Sequence, residues 1–177
     1  MVIIMKERIR HFIYLIILIA LDQLTKFWAV TTLKENGPIT ILSDILKLQY
    51  HENSGAAWGI FQGKANILSI VTIFILAALF FVYIHIPKEP RFKYLKLIFV
   101  FIGAGAIGNM IDRFVNQYVV DFIYFELINF PVFNVADSYV TVAAILLIIL
   151  AVFYYKDEDL AFIDQIFKGK KKDNIEG

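Results

Sequence analysis

Four apolar runs of membrane-crossing length, at about residues 12–30, 67–86, 95–114 and 135–155, constrain this chain more than any other feature. At 1.5 Å per residue, a run of roughly nineteen residues extends about 28 Å as a helix, enough to cross a hydrocarbon core. The composition agrees: 59% of the 177 residues are hydrophobic, 19% are charged, and the mean hydropathy is +0.69. A soluble domain is usually about 45–50% apolar, so the bilayer is the expected solvent. The first run follows Lys6, Arg8 and Arg10 as a secretory signal would. It is interrupted by Asp22 and Lys26, lacks an A-x-A cleavage pattern and precedes further runs, so it reads as a retained span.

Basic residues set the expected orientation. Lys6, Arg8 and Arg10 precede the first run; Lys88, Arg91, Lys93 and Lys96 lie around the second connection; Lys156, Lys168, Lys170, Lys171 and Lys172 follow the fourth. These are twelve of the 17 Lys and Arg residues, and residues 114–134 contain none. Cytoplasmic segments are enriched in Lys and Arg, which places both termini inside and residues 114–134 outside. The first outer segment, about residues 31–64, has two β-rich stretches, Ile39–Leu42 and Leu46–Tyr50, with turn signals at Gly37-Pro38 and Ser43-Asp44. The fold class expected is an all-α membrane protein of four transmembrane helices with a small extracytoplasmic β platform. Residues 119–125 either extend the platform or lie in the interface. Residues 1–155 read as one membrane unit and 156–177 as a cytoplasmic basic tail. In that tail Leu160, Ile163, Ile166 and Phe167 recur at helical spacing, which suits either an amphipathic helix on anionic headgroups or a frayed polar end.

Chemistry concentrates in residues 103–137. Asp112, Arg113, Asp121 and Asp137, with Asn109 and Asn134, lie between two apolar runs, where desolvating a charge is costly without a partner. Helical spacing puts Gly105, Gly108, Asn109 and Asp112 on one side of the third span, and the small residues there allow close approach of another helix. The fourth span runs the opposite way, so Asp137 returns to the level of Asp112, with Asp121 on the connection. Asp22 lies deeper in the first span, with Lys26 one turn on. Structural readings exist for most of these residues: an Asp22–Lys26 pair within one helix, an Asp112–Arg113 pair at a helix end, and capping by Asn134 or Asp137. Asn53 heads a small-residue run, with Trp58 as an interfacial anchor. None of these readings explains Asp121.

Two carboxylates forced together in a low-dielectric site tend to share one proton, giving one base and one acid. Such a pair can activate water against an amide while protonating the carbonyl oxygen. Cysteine is absent, so thiol chemistry is excluded; His11, His51 and His85 have no HExxH spacing, and no metal site or cofactor is expected. Ser54, Ser69 and Ser138 are not in a G-x-S-x-G setting. A net charge of +1 gives no reason to expect nucleic acid as a partner. A proton- or ion-conducting bundle is the main alternative; it requires carboxylates strung across the bilayer depth. A non-catalytic lipid-binding protein is a third.

Five blocks, Asp22–Lys26, Asn53–Gly59, Gly105–Arg113, Val119–Phe122 and Phe133–Asp137, together resemble bacterial lipoprotein signal peptidase, also called signal peptidase II. The resemblance spans about residues 12–155. It implies an aspartic endopeptidase of the bacterial cytoplasmic membrane that removes signal peptides from diacylglyceryl-modified prolipoproteins before the lipidated cysteine. Its partners would be those substrates and membrane lipids, its state a monomer, and its site near the outer leaflet. Carried over by motif, Asp121 and Asp137 would be the catalytic pair. Asp22, Asn53, Asn109, Asp112, Arg113 and Asn134 would be supporting positions. Residue chemistry alone does not choose Asp121 over Asp112; the resemblance does.

Overall fold

The computed structural model describes residues 2–55 and 60–168. Trp58 and the lysines Lys170, Lys171 and Lys172 lie outside the described residues, as does the Phe167 side chain. Among the described residues, four helical segments are long and apolar enough to cross a membrane. The first helix, α1 (Val2–Trp28), starts well before the apolar run, continues through a π-helical turn at Ala29–Leu33 and ends in the short α2 (Lys34–Asn36). The others are α3 (Ala65–His85), α4 (Lys93–Asn116) and α5 (Val135–Phe153). Large apolar side chains such as Phe74 and Ile148 face outward, as expected where lipid rather than water is the solvent.

Packing in the bundle depends on the small residues of α4. A Cβ added to Gly105 would stand 2.5 Å from the Ala136 carbonyl oxygen, and one added to Gly108 would stand 2.4 Å from Asp22 Oδ2. Glycine at these two positions lets α5 and α1 seat directly against α4. The termini of these helices also follow from sequence. Pro90 opens a 3-10 turn, Pro90–Phe92, that leads into α4, and Gln117 closes α4 in the left-handed region with φ of 66°. A capping box opens α5: Asn134 Oδ1 accepts from Asp137 N at 3.0 Å, and Asp137 Oδ2 accepts from Asn134 N at 3.2 Å.

The platform is a three-stranded antiparallel sheet in the order β1 (Ile39–Leu42), β2 (Leu46–Asn53), β3 (Val119–Phe125). Residues 119–125 therefore extend the platform rather than lying apart from it. An apolar cluster of Ala29, Leu33, Val120 and Phe122 fastens the sheet to the end of α1. Phe133 forms an isolated bridge to Ile123, with N–H···O bonds of 3.0 and 2.8 Å. That bridge sets the following residue, Asn134, against β3. At the opposite end of the bundle Ile86, Phe92, Leu95 and Tyr155 form a second cluster, against which Leu160 and Phe162 of α6 (Asp157–Lys168) pack. Arg91 Nη2 holds Asp159 Oδ2 at 2.6 Å, so α6 is docked by charge as well as by its apolar face.

Gly105→Ala is expected to lower stability by roughly 1–3 kcal/mol, the usual cost of overpacking, because the added methyl meets backbone. Gly103→Ala, whose Cβ would lie 3.7 Å from Leu15, should be neutral or slightly stabilising. Thermal unfolding of the two variants in detergent checks the contrast.

Candidate active site

The polar residues converge at one end of the bundle, beneath the platform. Its foundation is a buried ammonium. Lys26 Nζ lies 2.9 Å from Asp22 Oδ2 and 3.1 Å from Asp112 Oδ2, and donates to Asn109 Oδ1 at 2.9 Å. Two carboxylates on one lysine satisfy the requirement that a buried charge be paired. Gln23 Nε2 donates to Asp112 Oδ1 at 3.0 Å and to Asp22 Oδ2 at 3.2 Å, closing the cluster.

Each carboxylate has one further task. Asp22 Oδ1 accepts from the backbone N of Ala136 at 2.9 Å, and Asp112 Oδ2 accepts from the backbone N of Val120 at 3.0 Å. Ala136 immediately precedes Asp137, and Val120 immediately precedes Asp121. The Asp22–Lys26–Asp112 group thus fixes the backbone next to both remaining aspartates. Asp22, expected one turn deeper in the first span, is joined to this same polar cluster through Lys26. The Asp112–Arg113 pair does not form: Asp112 is engaged as described, and Arg113 Nη2 donates to the Gly55 carbonyl at 3.2 Å.

Three asparagines hold the side chains of Asp121 and Asp137. Asn134 Nδ2 donates to Asp121 Oδ1 at 2.6 Å, Asn53 Nδ2 to Asp121 Oδ2 at 2.9 Å, and Asn109 Nδ2 to Asp137 Oδ1 at 2.7 Å. In each case the amide oxygen is already taken by a donor. Asn134 Oδ1 is held by Asp137 N, Asn53 Oδ1 by Gly55 N at 3.0 Å, and Asn109 Oδ1 by Lys26. That occupancy fixes which end of each amide faces a carboxylate. Asn134 touches both aspartates, because its cap engages Asp137 and its free amide reaches Asp121.

Both aspartates line a cavity of about 1370 Å³ together with Asn53, Asn109 and Arg113, and the cavity extends along α5 past Val140 and Val142. Asp121, on β3 and only 1% exposed, has its carboxyl pushed up to about 7 by burial and then by the charge of Asp137. The amide bonds from Asn53 and Asn134 act in the opposite direction and do not outweigh burial. An acid that retains its proton near neutrality beside a second carboxyl is the arrangement for general acid–base chemistry.

Every site residue singled out from sequence is placed in this cluster or at its rim. Sequence reasoning missed the hub role of Lys26, read as an intrahelical pair with Asp22, and the contribution of Gln23. A four-residue spacing on α1 carries no sign that Asp112, on another helix, completes the pair.

The model of the signal peptidase (SPase) II family matches residues 14–153. Lipoprotein signal peptidase of Clostridium acetobutylicum is 42% identical over 137 residues, covering 76% of this chain and 88% of the relative. That of Streptococcus pyogenes serotype M5 is 38% identical over 156 residues, covering 88% and 98%. A bacterial membrane enzyme structure determined by the in meso method at 2.3 Å superposes with a TM-score of 0.70 at 34% identity, covering 92% and 93% of the two chains. A second, at 1.9 Å, gives 0.71 and 35%, covering 82% and 94%. With a family match across most of its length and relatives of this identity and coverage, the chain belongs to the signal peptidase II family.

Proposed function

We propose that Asp121 and Asp137 are the acid–base pair of an aspartic endopeptidase that removes signal peptides from lipid-modified prolipoproteins. The observation that carries this reading is that both aspartates, each bonded to the buried Asn134, line one large cavity. Asp121, with its raised pKa, donates its proton to the scissile carbonyl oxygen. Asp137 takes a proton from water, whose oxygen attacks the carbonyl carbon. Collapse of the tetrahedral species breaks the C–N bond, and the amine leaves with a proton returned by the pair. The substrate class rests on the relatives' name, lipoprotein signal peptidase. The apolar flank of the cavity along α5 suits a signal helix arriving laterally from the bilayer, with Arg113 and Asn53 at the cleavage level.

In this reading both termini are cytoplasmic, in accord with the distribution of lysine and arginine, and the site lies at the outer leaflet with the platform over it. The enzyme works as a monomer surrounded by membrane lipid. Residues 1–155 are the peptidase unit and 156–177 a cytoplasmic tail.

Reconstitution with lipid-modified and unmodified prolipoprotein tests the assignment. Release of the signal peptide from the modified form alone, unaffected by a chelator, is expected. Asp121→Asn and Asp137→Asn should each lower the rate at least a thousandfold with the protein still inserted, consistent with loss of one essential acid–base group on the order of 10³–10⁴. A variant retaining near wild-type rate would remove that residue from the pair.

The raised Asp121 pKa has a signed pH consequence. The folded protein keeps a proton that the unfolded chain loses near the ordinary carboxyl value, so Asp121 favours the fold most at low pH. That contribution is lost as pH rises through about 7, where the buried Asp121 carboxyl ionises. Cleavage should decline over the same range, and Asp121→Asn should flatten the alkaline fall in melting temperature. Parallel rate and thermal-unfolding profiles from pH 5 to 9 measure both.

A further inference from the structure

A second cavity, of about 430 Å³, lies between α1 and α3 with α4 as its floor. It faces away from the aspartates. Leu15, Leu76, Leu79 and Phe99 form its walls, Gly103 deepens the floor, and Phe12 and Phe80 beside it are 62% and 65% exposed. The groove therefore opens sideways, toward lipid.

Its far end is polar. His11 Nδ1 and the Tyr83 hydroxyl meet at 2.8 Å, joining α1 to α3, and exposed Arg8 stands at the same end. Glu7 is taken up by Lys96 at 3.0 Å, and Arg8 has no ion-pair partner among the described residues. Arg8 precedes Lys26 by eighteen residues of continuous helix, about 27 Å, close to the thickness of a hydrocarbon core. The guanidinium is thus at headgroup depth on the side opposite the aspartates, with an apolar groove running from it into the bilayer.

We infer that this groove binds one anionic glycerophospholipid, its acyl chain between α1 and α3 and its phosphate on Arg8. Guanidinium and phosphate match in charge and in hydrogen-bond geometry. The His11–Tyr83 pair adds a polar step between that guanidinium and the apolar walls, at the level of the glycerol esters. The basic end disfavours the other elongated apolar occupant, the signal helix of a substrate, whose leading segment is itself positively charged. A lipid seated there fills the gap between α1 and α3, whose described polar link is the His11–Tyr83 bond.

Phosphatidylglycerol and phosphatidylcholine titrated separately onto the purified protein in detergent, with retained lipid read by native mass spectrometry, test the site. Wild-type protein is expected to retain one phosphatidylglycerol in preference to phosphatidylcholine. Arg8→Gln should weaken that retention by about tenfold, the scale of one lost charged hydrogen bond. Gly103→Leu, which fills the floor, should abolish it. Cleavage in detergent, which uses the other face of α4, reports that each variant is folded. Arg8→Gln leaves the packed interior intact, so the test stands even if Gly103→Leu does not fold. Equal retention of the two lipids, unchanged retention in Arg8→Gln, or displacement of lipid by a synthetic signal peptide would overturn the inference.

Discussion

The ammonium of Lys26, buried between Asp22 and Asp112, is the interaction on which the rest of the site depends. A lysine at this depth is costly alone, and so is either carboxylate. Together with Gln23 they form a group in which every charge has a partner. The two carboxylates also have oxygen lone pairs left over for backbone N–H groups. Those groups belong to Val120 and Ala136, each one residue before an aspartate facing the cavity. Removing the lysine would therefore do more than unpair two acids. It would release the start of β3 and the start of α5, the two segments that position Asp121 and Asp137.

Above this ionic base lies a neutral layer of three asparagines. Amides suit this layer because each offers one acceptor and two donors without adding charge. Each acceptor is occupied by a cap, a turn or Lys26, and the donors are left for the carboxylates. The carboxyls are thereby oriented without a cation placed directly on them. A lysine in contact with Asp121 would favour its ionised form; amide donors do so less, and burial prevails in keeping it an acid near neutrality. The distinction between the ion-paired aspartates and the amide-held ones is the physical basis for assigning them different roles.

The two ends of the bundle do different work. At one, the sheet is clamped to α1 by Ala29, Leu33, Val120 and Phe122, and the Phe133–Ile123 bridge delivers Asn134 to Asp121. At the other, aromatic packing of Phe92 with Tyr155 and Phe162 closes the bundle and docks α6. Between them α4 is the common axis. Its glycine face receives α1 and α5 at the aspartates, and its Phe99–Gly103 face floors the lateral groove.

Much of this was legible in the sequence, and for definite reasons. Membrane-length apolar runs fix four helices because an unsatisfied backbone group is too costly in hydrocarbon for other solutions. β-branched and aromatic alternation marked Ile39–Leu42 and Leu46–Tyr50 as strands, and glycine spacing marked the side of α4 that is closely approached. The five sequence blocks also contained the polar residues that the structure brings together around Lys26 and the three asparagines. Sequence could not say which acid pairs with which base. Asp22–Lys26 and Asp112–Arg113 are each adequate local pairs by spacing, yet Lys26 joins both acids and Arg113 turns to Gly55. Nor could it decide whether residues 119–125 join the platform, since strand pairing with β2 is a contact across about seventy residues. Sequence by itself determined the solvent, the helices and the identity of the polar residues, because these follow from local composition. Only the tertiary structure decided their partners, because helices adjacent in space bring together charges that no periodicity along one helix can relate.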